Sequence, residues 1–173
     1  MGPLVRSLRR LIAPITRTRG FRVIAPRALP PAERLLKRLT RGRIVVSGIL
    51  VPSLVLHTTG AKSGEPRTST LMYAPDGKGG AIIAGTNFAR GNHPGWTANL
   101  IAHPEAEVDV RGRRHRVHAE RIPEEERNPA WTRLEAQWPG YRMYERESGR
   151  VVRLFRLTTD TQPTPFIDRS AGR

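Results

Sequence analysis

Two hydrophobic patterns divide the chain. Near the start, apolar residues recur every three or four positions beside arginines, which predicts a basic amphipathic helix that ends or kinks near Pro14. Its apolar positions are Leu4, Val5, Leu8, Leu11, Ile12 and Ile15. From residue 44 onward, β-branched residues cluster between turn formers, which predicts short strands. The predicted strands cover residues 44–50, 54–59, 68–74, 81–86, 105–111, 114–121 and 151–157.

Helices interrupt and flank the predicted strands. They cover residues 31–40, residues 94–103, a segment after Pro123 with an acidic first turn, and a short segment carrying Tyr141 and Tyr144. Strands do not alternate regularly with crossover helices, which argues against a doubly wound sheet. Short antiparallel strands joined by tight turns predict a mainly β (α+β) fold, a small β-barrel decorated by helices.

Length, composition and charge set the organisation of the chain. With 173 residues and 38% hydrophobic content, we expect one compact domain. We place a helix and connector at 1–30, the barrel domain at 31–158 and a loose tail at 159–173. The absence of cysteine excludes disulfides, thiolate metal sites and cysteine nucleophiles. The longest uncharged apolar run, 44–56, is shorter than the roughly 20 residues of a membrane-spanning helix.

The net charge of +15 is unevenly distributed. Residues 1–50 hold 12 basic side chains and one acid, Glu33, while the remaining residues carry a net charge of only +4. The basic amphipathic helix predicted near the start of the chain is suited to packing on an anionic membrane surface, on its own domain or on a second subunit. Nucleic-acid binding remains an alternative, but single-strand binding needs aromatic residues among the basic ones, and Phe21 is the only aromatic residue in this region.

Three segments contain candidate chemistry. Gly60-Ala-Lys-Ser-Gly-Glu-Pro-Arg67 places two glycines and two cations between strands, an arrangement suited to a phosphate or carboxylate or to an ordinary solvated hairpin. The segment from Ala84 to Trp96 leaves a strand and enters a helix at Pro94, and Trp96 suits either a flat ligand or the core. Trp138-Pro-Gly-Tyr141-Arg-Met-Tyr144 brings two phenols together. The five histidines show no metal-ligand pattern.

The order of these segments is more specific than any one alone. Leu54-Val-Leu-His-Thr-Thr-Gly-Ala-Lys-Ser-Gly-Glu-Pro-Arg67, then 84–87, then His93-Pro-Gly-Trp96-Thr-Ala-Asn99-Leu-Ile-Ala-His-Pro104, then Trp138 to Tyr144 resembles the deazaflavin (F420)-dependent nitroreductase and quinone reductase family. The resemblance covers roughly residues 35–157. It implies a split β-barrel, like that of FMN-binding barrels, which binds coenzyme F420, with FMN as the alternative cofactor.

The resemblance also implies roles for particular residues. Lys62 and Arg67 hold the phosphate and carboxylate tail of the cofactor, helped by backbone amides. The complete cofactor-binding set is His57, Ala61, Lys62, Ser63, Gly64, Arg67, Ala84, Gly85, Thr86, Asn87 and Trp96. The substrate is covered by Met72, Trp138, Tyr141 and Tyr144, and the catalytic candidates are Tyr141, Tyr144 and Thr86. Asn87 stands where relatives can carry lysine, and Arg90 is the candidate replacement. Met72 replaces a tyrosine, with Tyr73 facing the other side of the strand.

The expected activity is hydride transfer from C5 of reduced F420 to an electron-poor acceptor, with a quinone such as menaquinone favoured. Nitroaromatics, activated alkenes and unsaturated fatty acids are alternative acceptors. Peripheral membrane contact through residues 3–17 suits a lipid-soluble quinone, which gives a cytoplasmic protein at the inner face of the membrane. A homodimer is also expected, and metal and nucleic acid are not.

Overall fold

The computed structural model describes residues 52–161 and 164–166. The helices expected over 4–15 and 31–40, the strand expected over 44–50 and most of the expected tail lie outside these residues. The strands are β1 (Ser53–Thr59), β2 (Pro66–Met72), β3 (Ala74–Pro75), β4 (Ala81–Ala84), β5 (Glu105–Val110), β6 (Arg113–Arg121) and β7 (Leu154–Thr158). The helices are α1 (Gly95–Ala102), α2 (Arg127–Gln137) and α3 (Met143–Ser148), with 3-10 turns at Asn87–Ala89 and Glu124–Glu126.

The strands form one antiparallel sheet in the order β2-β1-β5-β6-β7-β4-β3. Although β2 and β4 lie near opposite ends of this order, they contact each other, so the sheet curls round on itself. This curvature lets one face of the sheet enclose a core, as in a barrel. The expectation of a mainly β, barrel-like fold with flanking helices is confirmed.

The two faces of the curled sheet bury separate hydrophobic clusters. The inner cluster fills the barrel under α1 and comprises Leu54, Leu56, Tyr73, Ala81, Ile83, Trp96, Leu100, Val108, Val110, Val117, Ala119, Phe155, Leu157 and Phe166. The outer cluster includes side chains of α2, which packs over β3 and β4, and comprises Ala74, Ile82, Ala84, Ile122, Ala130, Trp131, Leu134, Val152 and Leu154. Because β4 is covered on both faces, all four of its residues are apolar and buried.

The structure corrects several predicted element boundaries. The strand expected over 68–74 is broken at Tyr73, because β2 and β3 lie at opposite ends of the curled sheet. The last strand begins at Leu154, three residues later than expected, although the Gly85 amide still donates to the Arg153 carbonyl just before it. Tyr141 lies in the turn before α3, and only Tyr144 is on that helix.

The acidic residues after Pro123 form a separate 3-10 turn before α2 rather than its first turn. Among the described helices, none is long and apolar enough to cross a membrane.

Candidate functional site

The segment between β1 and β2, residues 60–65, is a tight loop, which we call the cationic loop. The amide of Gly60 donates to the Glu65 carbonyl at 2.8 Å, and the amide of Gly64 donates to the Gly60 carbonyl at 2.8 Å. Gly64 has φ of +68°, a conformation that favours glycine. A Cβ at position 60 would lie 2.6 Å from Ser63 Oγ. Both glycines are therefore needed for the close turn.

The two cations assigned to the anion site project from this region. Lys62 is exposed in the cationic loop, and Arg67 is exposed near the start of β2, directly opposite Thr58. Within residues 52–161 and 164–166, neither side chain is found in an ion pair. An ammonium and a guanidinium that lack internal acidic partners are suited to a phosphate or carboxylate ligand.

Asn99 of α1 holds the cationic loop in place. Its Oδ1 accepts a hydrogen bond from the Ala61 amide at 3.0 Å, and its Nδ2 donates to Thr58 Oγ1 at 2.9 Å. The amides of Ala61 and Gly64, which were expected to face the ligand, are thus already used inside the protein. Asn99 was quoted in the sequence motif without a role. Its signal is a polar residue on the buried side of an otherwise apolar helix.

A second loop, residues 85–93, follows β4, and we call it the strand-end loop. It begins with buried Gly85 and Thr86 directly after buried Ala84. A Cβ at position 85 would lie 2.7 Å from Thr97 Cγ2, so only glycine fits against α1 here. Thr97 and Asn99 are both on α1 and differ by about 3 Å along its axis. The two loops therefore lie against the same helix.

Thr86 and Tyr141 form the centre of the candidate site. Their hydroxyl oxygens are 3.3 Å apart and share a hydrogen bond. Burial raises the pKa of Tyr141 to about 12, so the phenol keeps its proton at neutral pH. The rings of Tyr144 and Trp131 pack edge-to-face on Tyr141, with centroids 5.6 and 6.1 Å away. These aromatic rings hold the half-buried Tyr141 in place.

The other two residues assigned to the substrate, Met72 and Trp138, differ in their contacts. Met72, like Tyr141, packs against the outer cluster. Trp138 is half-buried at the end of α2, and its carbonyl accepts a hydrogen bond from the Tyr141 amide at 3.1 Å. Trp138 is thus joined to Tyr141 through the backbone of the turn after α2. Tyr73, between β2 and β3, packs in the inner cluster, so it faces away from Met72 as the alternation predicted.

Two of the expected cofactor residues, Trp96 and His57, make their contacts with other groups of the protein. Trp96 belongs to the inner cluster, is 7% exposed and packs against Phe155 with ring centroids 5.7 Å apart. Of the two interpretations of Trp96, the structure favours the core residue.

His57 lies on the other face of β1 from Thr58 and Arg67. Its Nε2 is 2.8 Å from Asp109 Oδ2, within a polar group that includes Arg114. The side-chain hydrogen bond from Arg114 lowers the pKa of Asp109 to about 2, with His57 adding to the effect. His57 is thus part of the outer surface of the sheet.

Arg150 was missed by sequence reasoning, although it contacts the strand-end loop at four points. Nη2 donates to the carbonyls of Gly85 and Thr86, both at 2.9 Å, and Nε donates to the Arg90 carbonyl at 3.1 Å. Nη1 donates to His93 Nδ1 at 2.9 Å. Asn87 donates to Asn92 within the loop, and Arg90 is exposed. An arginine between a helix and a strand gives no sequence signal for such contacts.

A buried ion pair holds the segment that carries Arg150. The guanidinium of Arg127 pairs with Glu145 and donates to the Val152 carbonyl at 2.9 Å. Glu145 also accepts a hydrogen bond from the Val152 amide at 2.8 Å. Residues on either side of Arg150 are therefore fixed relative to α2. No cluster of three or more potential metal ligands is found among the described residues.

Comparisons with a family model and with individual proteins point to the same family. The model of the F420H2-dependent quinone reductase family matches residues 33–159. The chain is 38% identical over 112 residues to an F420H2-dependent quinone reductase of Mycobacterium tuberculosis, covering 62% of this chain and 73% of that protein.

Two solved structures support the same fold. An F420-H2 dependent reductase (FDR-A) has 27% identity and a TM-score of 0.55, covering 62% of this chain and 94% of that one. A domain-swapped dimer has 27% identity and a TM-score of 0.57, covering 75% and 95%. The expected split-barrel architecture is confirmed by these similarities. The chain belongs to the F420H2-dependent quinone reductase family.

Proposed function

We propose that this oxidoreductase transfers a hydride from reduced coenzyme F420 to a quinone, with menaquinone as the favoured acceptor. Family membership implies F420 as the cofactor. The observation that supports the proposal most directly is the attachment of both loops to α1, through Asn99 on one side and Gly85 on the other. One helix thereby links the cations for an anionic tail to the Thr86–Tyr141 pair.

The residues of the cationic loop fit the anionic part of the cofactor. Lys62 and Arg67 are exposed and carry no internal ion pair among the described residues, so binding an anion breaks no existing pair. Ser63 is exposed between them and offers a hydroxyl. With Ala61 and Gly64 amides engaged internally, the proposed anion contacts are the two cations and Ser63.

The strand-end loop fits a flat ring. Ala84 and Gly85 are buried and carry little side-chain bulk, and Asn87 just after them is half-buried. Phe88 is 40% exposed in the same loop and offers an apolar face. We place the deazaflavin ring against Gly85, Thr86 and Asn87, with Trp96 supporting the barrel side from within the core.

The bound cofactor supplies the hydride chemistry, and the protein supplies orientation and hydrogen bonds. Lys62 and Arg67 fix the tail, which restricts where the ring can lie. In the free site, Thr86 Oγ1 shares a hydrogen bond with the Tyr141 hydroxyl. When an acceptor enters, that hydroxyl donates to the oxygen on which negative charge develops. Tyr144 and Trp138 line the acceptor side, and Met72 limits its shape.

The test is the anaerobic oxidation of reduced F420 at low enzyme concentration, followed by recovery of the oxidised cofactor's absorbance. A menaquinone analogue, a nitroaromatic, an activated alkene and an unsaturated fatty acid are compared as acceptors. We expect the highest kcat/KM with the quinone. Failure of every acceptor to exceed the uncatalysed rate, or purification of the protein with bound FMN, would contradict the proposal.

We further propose that residues 3–17 contact an anionic membrane surface at the cytoplasmic face, where a lipid-soluble quinone is available. The arginines beside the apolar stripe support this placement. Full-length protein should sediment with anionic vesicles but not neutral ones, and Arg6→Gln, Arg9→Gln, Arg10→Gln should abolish this. Equal sedimentation of variant and wild type would overturn the membrane role.

A homodimer, suggested by the similar domain-swapped dimer, is tested by sedimentation equilibrium.

A further inference from the structure

The strand-end loop has an unusual backbone. Three consecutive residues other than glycine, Asn87, Phe88 and Ala89, have positive φ of 49°, 53° and 60°. Asparagine tolerates this region, whereas phenylalanine and alanine pay a steric penalty there. Such a conformation persists only where the surrounding structure holds it. The loop therefore needs an external support, and its position beside Thr86 makes that support relevant to the site.

Arg150 provides the support. Its guanidinium donates to the carbonyls of Gly85 and Thr86 at the start of the loop and to the Arg90 carbonyl near its end. The remaining contact is with His93 Nδ1. All four acceptors are neutral, so the contacts depend on the planar fork of donors and not on charge pairing. A lysine has one nitrogen and cannot occupy four separated positions.

These contacts lead directly to the centre of the candidate site. The Thr86 carbonyl is held by Arg150, while the Thr86 hydroxyl meets Tyr141 at 3.3 Å. On the other side, the Gly85 amide donates to the Arg153 carbonyl at 2.9 Å. Thr86 is thus fixed through its own backbone and that of its neighbour.

We propose that Arg150 is a positioning residue: it clamps the strained strand-end loop and so holds Thr86 in register with Tyr141 for hydride transfer. The proposal rests on the proposed function for its catalytic consequence. The clamp itself is a property of the protein without ligand. It is therefore measured separately from turnover.

The pKa of His93 is a measurable indicator of the Arg150 contacts. Since arginine can only donate, Nδ1 of His93 accepts, and the imidazole is neutral with its proton on Nε2. Burial lowers the pKa of His93, and the charges of Arg153, Arg150 and Arg121 lower it further. Removal of Arg150 takes away one of these charges and the donor, so the pKa of His93 should rise.

The experiment compares Arg150→Met and Arg150→Lys with Arg146→Met, an exposed arginine of α3 as the matched control. In the ligand-free protein, Arg150→Met should raise the pKa of His93 by NMR titration and speed hydrogen exchange at the Ala89 and Arg90 amides. In turnover, kcat should fall about 10- to 100-fold, as expected for misplaced reacting groups. Affinity for oxidised F420 should fall by a smaller factor than kcat, because Lys62 and Arg67 still hold the tail.

Arg150→Lys should regain little of the lost rate, and Arg146→Met should match the wild type in every measurement. The proposal is overturned by wild-type kcat in Arg150→Met, by full rescue with lysine, or by unchanged exchange and His93 titration. If Arg150→Met does not fold, Arg150→Lys carries the test through the same measurements. If the wild type does not oxidise reduced F420, the proposed function fails, whereas the clamp is still decided by NMR and hydrogen exchange.

Discussion

Gly85 illustrates how a single residue sets the distance between two elements. It lies where the chain leaves β4, and α1 packs so closely that an added Cβ would approach Thr97 Cγ2 to 2.7 Å. Its amide also donates to the Arg153 carbonyl at 2.9 Å. The missing side chain therefore brings α1 close to the strand-end loop, and Thr86 follows directly in the chain.

Replacing Gly85 by alanine should separate α1 from the loop. We expect Gly85→Ala to lower the free energy of unfolding by about 1–3 kcal/mol, typical of overpacking. Gly95→Ala is the matched control because no atom lies within 4 Å of an added Cβ there, and it should change stability by less than about 0.5 kcal/mol. Urea unfolding measures both. Equal stability of the two variants would show that the close contact is not limiting.

Tyr141 should remain a hydrogen-bond donor over the whole working range of pH. Burial favours the neutral phenol and raises its pKa to about 12, so ionisation begins only well above neutral pH. We expect wild type and Tyr141→Phe to have equal tyrosinate absorbance at about pH 10.5, because Tyr141 has not ionised. Turnover should fall about 100-fold in the variant. A lower tyrosinate signal in the variant at that pH would contradict the account.

Sequence reasoning proposed site residues whose chemistry is local and missed residues whose contacts are distant in the chain. Lys62, Arg67 and Tyr141 lie in short segments with recognisable turn or aromatic chemistry. Asn99 and Arg150 act across 38 and 65 positions of the chain, on Ala61 and Gly85. Such contacts arise only once the sheet has curled and α1 has docked. Sequence periodicity does not contain that information.

At the scale of elements, alternation along the strands separates the core from the outer surface. In β1, Leu54, Leu56 and Thr58 are buried, whereas His57 faces outward. Outward residues of β5 and β6 meet it there, so that Asp109 contacts both His57 and Arg114. The ends of most described strands were predicted to within a few residues because the two-residue alternation is strong. The break at Tyr73 was not predicted, since it reflects sheet curvature and leaves no mark on hydropathy.

The Asp109 cluster should make stability depend on acid pH. The hydrogen bond from Arg114 lowers the pKa of Asp109 from 3.8 to about 2, so its contribution is complete above 3.8 and is lost as pH falls toward 2. Because the pair is substantially exposed, Asp109→Asn should cost only about 0.5–1 kcal/mol at pH 7. The difference from wild type should vanish near pH 2. The measurement is urea unfolding across pH, with the exposed Asp160→Asn as the control. A stability difference between Asp109→Asn and wild type that does not change with pH would contradict this account.

Asn99 links α1 to the cationic loop, so its removal should affect both stability and ligand binding. Asn99→Ala leaves the Ala61 amide and Thr58 hydroxyl without their partner, which should cost about 1–3 kcal/mol. It should also weaken F420 affinity through loss of loop order. Asn128→Ala, on the exposed surface of α2, is the control. Reduced stability with unchanged cofactor affinity would show that loop anchoring is not needed for binding.

At the scale of the whole molecule, net charge is a poor guide to the binding chemistry. The chain carries +15, but the first 50 residues hold 12 of its 30 basic side chains, and these lie outside the described residues. Among the described residues, several arginines have internal partners, including Arg114, Arg127 and Arg150. The proposed anion site therefore depends on two local cations, Lys62 and Arg67, rather than on the net charge.

The most direct measurement is a fluorescence titration of oxidised F420 with the full-length protein. We predict binding in the micromolar range that weakens with added salt, because the cations are exposed. Lys62→Ala, Arg67→Ala together should weaken affinity at least about tenfold, which corresponds to the loss of roughly 1.4 kcal/mol. Lys78→Ala, Arg113→Ala removes the same charge elsewhere and should leave affinity unchanged. Absence of binding by the wild type, or equal weakening in both double variants, would contradict the account.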